Sequence, residues 1–477
     1  LQATERRPIP NTKRTHMKFT TLRQSSLPAI ILSVFAMGAP EKAEANPEAD
    51  AARFHAVSKH LDPGGTLYAY VSVDGDLRNL AVWVGQLVES IREENPQDIP
   101  FPIDAPRILE ATGLDSVSAV GFSSRAAEAG FQNKSYFHTP AGRKGLLRLF
   151  GGEPKVFEGP NLAPAGTEFV YEQELNFKAL YEVALDIAGV VMGDAGKGMI
   201  QMVASQPFDE NTKLTAARLL RDANTKVTVI VDAHDTEKFR IPGEDFDLPL
   251  THGAVLVNGY GWLADEVARL SGDEPDAERV QEANWRGIRS SEVLGEGGLA
   301  TYRPALLHHL PSGKLVLTTQ TEFAEMLFIP KPNLREDRAF REVMKGLPER
   351  GNAMSYVSPK VFNLLRNVVN AAIEQEADPA EAAVVRGMLS LFLPLESKGE
   401  ASVTTNLPDG ILTVSNSTFS HKGGLLSFGL TGPMAGIMAS QMMFMGAMEE
   451  LEDGNDFPAP PDVQIPFEEA QPEIPSP

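Results

Sequence analysis

The chain of 477 residues contains no cysteine. This absence excludes disulfides, cysteine-ligated zinc or iron–sulfur sites, thiol nucleophiles and a lipid anchor on cysteine. Basic residues are also few beside acidic ones, 43 against 64, so the formal net charge is −21. Because binding nucleic acid through its phosphates requires a basic surface, we expect no nucleic-acid partner. The hydrophobic content of 42% is nevertheless sufficient for a folded core.

Recognisable catalytic motifs are missing as well. The segment GDAGKG (193–198) lacks the first glycine of a phosphate-binding P-loop and the Ser or Thr that would hold magnesium. The sequence contains no G-x-S-x-G serine and no H-E-x-x-H zinc motif. We therefore expect no cofactor, and we favour a protein without catalytic activity.

Residues 1–45 are interpreted as an upstream extension followed by a secretory signal peptide. Lys18 and Arg23 precede an apolar run, Leu27–Gly38, and small residues then allow cleavage before Asn46. The apolar run is too short to span a membrane as a helix, and its flanking residues are typical of export. The sequence thus predicts an exported protein of a bacterial envelope, either periplasmic or extracellular.

Four segments share one order of features. Each begins with glycine, continues as a short strand and a turn, and ends as an amphipathic helix. In the first segment, the apolar residues recur at helical spacing and form one face of the helix: Leu77, Leu80, Ala81, Val84, Leu87, Val88 and Ile91. The four segments are Gly65–Ile91, Gly166–Val191, Gly253–Leu270 and Gly351–Ala372.

The spacing of these segments predicts a duplication. The first and third segments begin 188 residues apart, and the second and fourth begin 185 apart. Hairpin signals such as Pro408-Asp409-Gly410 lie between the helices. We therefore expect an α+β fold of two tandem similar halves, 46–250 and 251–448. Each half would be a mainly antiparallel sheet with helices packed on one face.

The same order of features resembles uncharacterised exported bacterial proteins that are classed as domains of unknown function. The resemblance rests on GLDSVSAVGFSS (113–124), NKSYFHTPAGRKGLLRLFGG (133–152) and LVLTTQTEFAEML (315–327). It covers most of the chain after the signal peptide. It implies the fold type and an envelope location, and it carries no catalytic residues to this sequence.

One candidate metal site follows the apolar strand 227–231. Asp232 and His234 would share a strand face about 6.7 Å apart, close enough to bind one ion. The simpler alternative is that they mark the solvent side of the strand, because valines occupy the other face. Glu172 and Glu174 also share a strand face and are a candidate pair for cleaving a glycosidic bond; alternating polar residues on a half-exposed strand would give the same pattern.

The end of the chain has an unusual composition. Residues 423–448 carry no charge and are rich in methionine, which predicts a helix with apolar residues on nearly all sides. A helix buried in the second half is favoured over partner or membrane-surface contact through Met438, Met442 and Met445, and a helix that spans the membrane is the least favoured alternative. Residues 449–477 hold nine acidic residues, seven prolines and no basic residue, which predicts a disordered tail.

The sequence therefore favours an exported cell-envelope protein that binds or scaffolds, with an envelope protein as its partner. Two alternatives stay open. One is a hydrolase, for which Asp232 and His234 would bind an assisting metal. The other is a carrier that holds an apolar ligand between sheet and helices.

Overall fold

The computed structural model describes residues 47–94, 101–128, 130–208, 212, 214–221, 224–240, 247–271, 277–291, 302–376, 386 and 397–422. The predicted signal peptide, the Met-rich segment 423–448 with Met438, Met442 and Met445, and the predicted acidic tail lie outside the described residues.

Thirteen of the described strands form one sheet, in the order β1-β2-β3-β15-β14-β13-β5-β6-β7-β11-β10-β9-β8. Every neighbouring pair is antiparallel. Strands β4 and β12 form a separate two-stranded ribbon. The strands are β1 Leu67–Ser72, β2 Ala119–Ala127, β3 Gly130–His138, β4 Lys155–Val156, β5 Phe169–Asn176, β6 Asn224–Arg240, β7 Asp247–Val257, β8 Ala277–Gln281, β9 Trp285–Ser290, β10 Ala305–His309, β11 Lys314–Thr318, β12 Arg350–Gly351, β13 Ala353–Val357, β14 Glu400–Leu407 and β15 Gly410–Ser417.

The helices connect or flank these strands. Asn176 caps the longest one, because its Oδ1 accepts a hydrogen bond from the backbone N–H of Ala179 at 3.3 Å. The described α-helices are α1 Pro47–Ser58, α2 Asp76–Glu94, α3 Ala105–Thr112, α4 Gly159–Leu162, α5 Phe177–Ser205, α6 Ala216–Arg221, α7 Gly261–Leu270, α8 Thr321–Phe328, α9 Arg338–Val343 and α10 Pro359–Glu376. Three 3₁₀ turns lie at Leu114–Ser116, Gly145–Phe150 and Leu334–Glu336.

The segment Gly253–Leu270 differs from the other three, because its strand β7 pairs with β6 and β11 and not with the hairpin β8-β9 that follows its helix. The other three segments form the same unit. These units are β1-α2-β2-β3, β5-α5-β6-β7 and β13-α10-β14-β15. In each unit, the first strand of the hairpin pairs with the opening strand. The fold is thus a mixture of helix and strand around a large antiparallel sheet. The separate sheets expected for 46–250 and 251–448 are not found, because strands of both ranges alternate along one sheet.

The expectation that helices pack on one face of the sheet is wrong. Leu307 of β10 joins Phe323 and Leu327 of α8 in the main buried cluster. Its neighbour His308 points to the opposite face, where its Nδ1 lies 2.8 Å from Oδ2 of Asp265 on α7. Helices α7 and α8 therefore cover opposite faces, because these strands place apolar or paired side chains on both. We call the face that carries Leu307 the core face.

Two of the glycines that open the units have a structural reason. A Cβ atom on Gly65 would lie 2.1 Å from the carbonyl oxygen of Ser124, on the neighbouring strand. Gly166 has a φ of +88°, which residues with a side chain rarely adopt. The glycine at the start of these segments thus permits close strand contact or a tight turn.

Candidate functional site

Three glutamates lie on the core face of β5 or directly before it. Glu168, Glu172 and Glu174 occupy alternate positions and therefore point to the same side of the sheet as Val170. All three side chains are buried, and Glu172 is only 1% exposed. Because a buried carboxylate is costly unless it is paired or protonated, the partners of each glutamate decide what this row can do.

Glu172 is paired with two backbone N–H groups and a lysine. It accepts hydrogen bonds from the backbone N–H groups of Glu158 and Gly159, the former at 2.8 Å. Nζ of the buried Lys226 lies 2.9 Å from its Oε1. Burial works against the charged form of Lys226, but the carboxylates of Glu172 and Glu158 outweigh it and raise its pKa. A lysine held in its charged form is unsuited to act as a nucleophile or a general base at neutral pH.

A second lysine extends this network. Nζ of Lys314 lies 3.0 Å from Oε2 of Glu158 and 2.5 Å from Oδ1 of Asn258. Burial opposes ionisation of Glu158, but Lys314 and Lys226 outweigh it and lower the pKa of its carboxyl group. Two lysines and two glutamates therefore neutralise one another beside the sheet.

Glu174 has partners of its own. Its Oε1 lies 2.8 Å from Nζ of Lys155, and its Oε2 accepts a hydrogen bond from Nδ2 of Asn352 at 3.1 Å. A cavity of about 310 Å³ lies beside it. Its lining includes Gly151, Lys155, Glu158, Glu174, Lys226 and Asn258. Glu172 and Glu174 thus share a strand face, as expected, but each is neutralised by a different lysine.

Glu168 differs from the other two glutamates because it faces a second carboxyl group. Its Oε2 accepts a hydrogen bond from the N–H of Ala233 at 2.8 Å, and the exposed Lys360 lies 3.5 Å from its Oε1. Burial and the neighbouring Asp232 nevertheless raise the pKa of Glu168 to about 7. The Glu168–Asp232 pair therefore takes up a proton near neutral pH.

This pair includes one of the two predicted metal ligands. Asp232 pairs in register with His252 of β7, whose ring stacks on Phe323 at 5.6 Å between ring centroids. His234 lies in the same strand as Asp232, and its side chain is outside the described part of the structure. Among the described residues, no group of three or more His, Asp or Glu side chains is arranged to hold a metal ion. The metal site at Asp232 and His234 thus stays a prediction.

Helix α2 carries several exposed apolar side chains. The side chains of Trp83 and Leu87 are 58% and 48% exposed, and Val84 and Ile91 are exposed beside them. Of the residues on the apolar face expected for this helix, Ala81 alone is buried. Within the described chain, α2 contacts chiefly α3 and the 3₁₀ turn after it. We call Trp83, Val84, Leu87 and Ile91 the α2 surface.

Comparisons with family models, curated proteins and solved structures found no match to this chain. The resemblance to uncharacterised exported proteins therefore stays a prediction. Among the helices in the described ranges, none is both long enough and apolar enough to cross a membrane.

Proposed function

We propose that this chain is an exported binding or scaffolding protein of the bacterial cell envelope, without catalytic activity, and that the α2 surface is its docking site. The exposed apolar side chains of α2 carry this proposal. Contiguous apolar surface of this kind is costly in water and is typical of protein interaction sites. Trp83 adds the residue type that most often dominates the energy of such interfaces.

The chemistry of the partner follows from charge. The chain carries a net charge of −21, and Asp76 and Glu93 are exposed at the two ends of α2. A partner protein with an apolar contact patch and a basic rim is therefore complementary to this helix. An anionic lipid surface would be repelled by the same acidic balance.

The buried charges support a role without catalysis. Glu172, Glu174 and Glu158 each have a lysine partner, and no cysteine is present in the sequence. The cavity beside them is lined by charged and polar groups, which does not favour a carrier of apolar ligands. Each lysine offsets part of the cost of burying its carboxylate, so loss of either partner would leave an unpaired buried charge.

Site-specific photo-crosslinking in cells tests the docking site. A photoreactive amino acid at Leu87 is expected to form a discrete adduct with one envelope protein. At Gln86, which is also exposed but lies about 100° around the helix, the adduct should be much weaker. Equal adducts at both positions, or none at 87, would contradict the proposal.

In the same cells, N-terminal sequencing should show a mature chain that begins at Asn46.

A hydrolase is the second candidate, favoured by one observation. A carboxyl group with a pKa of about 7, such as that of Glu168, is suited to general acid–base catalysis at neutral pH. The purified chain should be assayed on a panel of esters, phosphates and glycosides. We expect no turnover, because Glu168 is buried; turnover that is lost in Glu168→Gln would establish the hydrolase instead.

The duplication into halves 46–250 and 251–448 is also kept as a proposal. Its support is the recurrence of an opening strand, a helix and a hairpin in three units of the described chain. The tripeptide Tyr-Val-Ser occurs at the end of β1, at 70–72, and again at 356–358, where its first two residues end β13.

A further inference from the structure

We propose that the open edge of β1 pairs with β1 of a second copy of this chain, so that two 13-stranded sheets join into one. In the described structure, β1 is the last strand of the sheet on its side. An unpaired edge offers a row of N–H and C=O groups to another strand.

The rule by which the units join within one chain identifies that strand. Where two units adjoin in the sheet, strands at the same position in their units pair with each other. The closing strands β3 and β15 pair at one junction, and the opening strands β13 and β5 pair at the other. β7, the closing strand of its unit, pairs on its other side with β11, which belongs to none of the three units. β1 is an opening strand whose outer side has no described neighbour, so the same rule assigns it another opening strand.

The two edges of the sheet differ in charge. β1 reads LYAYVS and contains no charged residue, whereas β8 reads AERVQ and carries Glu278 and Arg279. Charged side chains on an edge strand discourage pairing. When β1 pairs with β1 of a second copy, no like charges face each other, and the contact forms a closed two-fold dimer. If β1 instead paired with β8 of another copy, each copy would leave one edge free, and the assembly would grow into a filament.

The hydrogen bonds of β1 fix the side that is open. Val73 donates its N–H to Ser118, so Val71 and Ala69 also direct their N–H groups to β2. The backbone N–H groups of Tyr68, Tyr70 and Ser72 therefore point away from β2, to the open edge. Apolar side chains flank this edge: Val71 is 39% exposed on one face, and Phe54 contacts Tyr68 and Tyr70 on the other.

The internal junction also gives the register. Tyr356 of β13 lies opposite Val170 of β5, and the hydrogen bonds on either side place them in a hydrogen-bonded pair. Tyr70 occupies the same place in its Tyr-Val-Ser tripeptide and also points to the core face. The dimer thus sets Tyr70 opposite Tyr70 of the second copy, and Ala69 opposite Val71.

Light scattering during size exclusion tests the dimer at micromolar concentration. The native chain is expected at twice the monomer mass, and Val71→Lys at the monomer mass. Val82→Lys is the matched control, because Val82 is 43% exposed on α2, away from the edge, and this variant should stay dimeric. A monomeric native chain, a dimeric Val71→Lys or a filament would overturn the proposal.

The absence of natural cysteine allows a test of the register. Single variants Ala69→Cys and Val71→Cys, mixed and oxidised, should form a disulfide between the two chains, because directly opposed residues satisfy its geometry. Each variant alone should cross-link poorly, since its cysteines would lie on a diagonal about 8 Å apart. Cross-linking that is equally efficient in a single variant would contradict this register.

Discussion

Replacing Lys226 with methionine is expected to lower the free energy of unfolding by about 3–5 kcal/mol. The substitution nearly conserves volume but removes the ammonium group 2.9 Å from the carboxylate of Glu172. Glu172 is 1% exposed, so its charge cannot be solvated by water in the folded chain. Chemical denaturation followed by circular dichroism measures the loss as a lower midpoint with an unchanged slope.

Two further variants separate the buried charge from the lost contact. The double variant Lys226→Met with Glu172→Gln should recover most of the stability, because the amide oxygen still accepts from the backbone N–H groups while no unpaired charge remains. Lys178→Met is the surface control; Lys178 pairs with Glu182 at 3.6 Å in exposed surroundings and should cost less than about 0.5 kcal/mol. An equal effect of Lys178→Met and Lys226→Met would contradict the role given to the buried pair.

Replacing Glu168 with glutamine is expected to stabilise the chain at alkaline pH and to have little effect in acid. Burial and Asp232 raise the pKa of Glu168 to about 7 in the folded chain, against 4.5 for a free glutamate. The folded state therefore keeps a proton that the unfolded state releases between these pH values. The native chain thus loses stability as the pH rises through that window, by about 3 kcal/mol in total.

The measurement is the difference in unfolding free energy between native chain and Glu168→Gln from pH 4 to pH 8. The difference should be near zero at pH 4, grow between about pH 4.5 and 7, and then level off in favour of the variant. Glu342→Gln, an exposed substitution on α9, should follow the native curve to within about 0.5 kcal/mol. A difference that is constant with pH, or that grows toward acid, would contradict the shared proton.

Local patterns in the sequence predicted the elements well because they depend on neighbouring residues. The strand and helix of each unit and the hairpin around Asp409 follow from periodicity and turn residues. The order of strands depends on pairing between distant residues, such as Tyr356 with Val170, and nothing local specifies it. For that reason one sheet was found where two had been expected.

The candidate site was only partly predictable for the same reason. Alternation placed Glu172 and Glu174 on one face of β5, as expected. Lys226 lies 54 residues after Glu172, and Lys155 lies on the separate ribbon strand β4, so the pairing of these charges could not be inferred from sequence spacing. Glu168 was missed because its raised pKa depends on burial and on Asp232 of the next strand.

The α2 surface shows the limit of periodicity. The apolar spacing of Leu80, Val84, Leu87 and Ile91 is the same whether a helix packs on its own core or offers that face to a partner. Only the surroundings distinguish the two cases, and the described chain leaves Leu87 and Ile91 exposed.

The most direct test of the binding role is the affinity of the native chain and of Leu87→Asp for the envelope protein cross-linked at position 87. Isothermal titration of the purified proteins should show at least tenfold weaker binding by Leu87→Asp, with an unchanged unfolding midpoint. Gln86→Asp, which adds the same charge one residue away, should bind within about twofold of the native chain. Equal affinities of the native chain and Leu87→Asp would contradict the account of α2 as a docking helix.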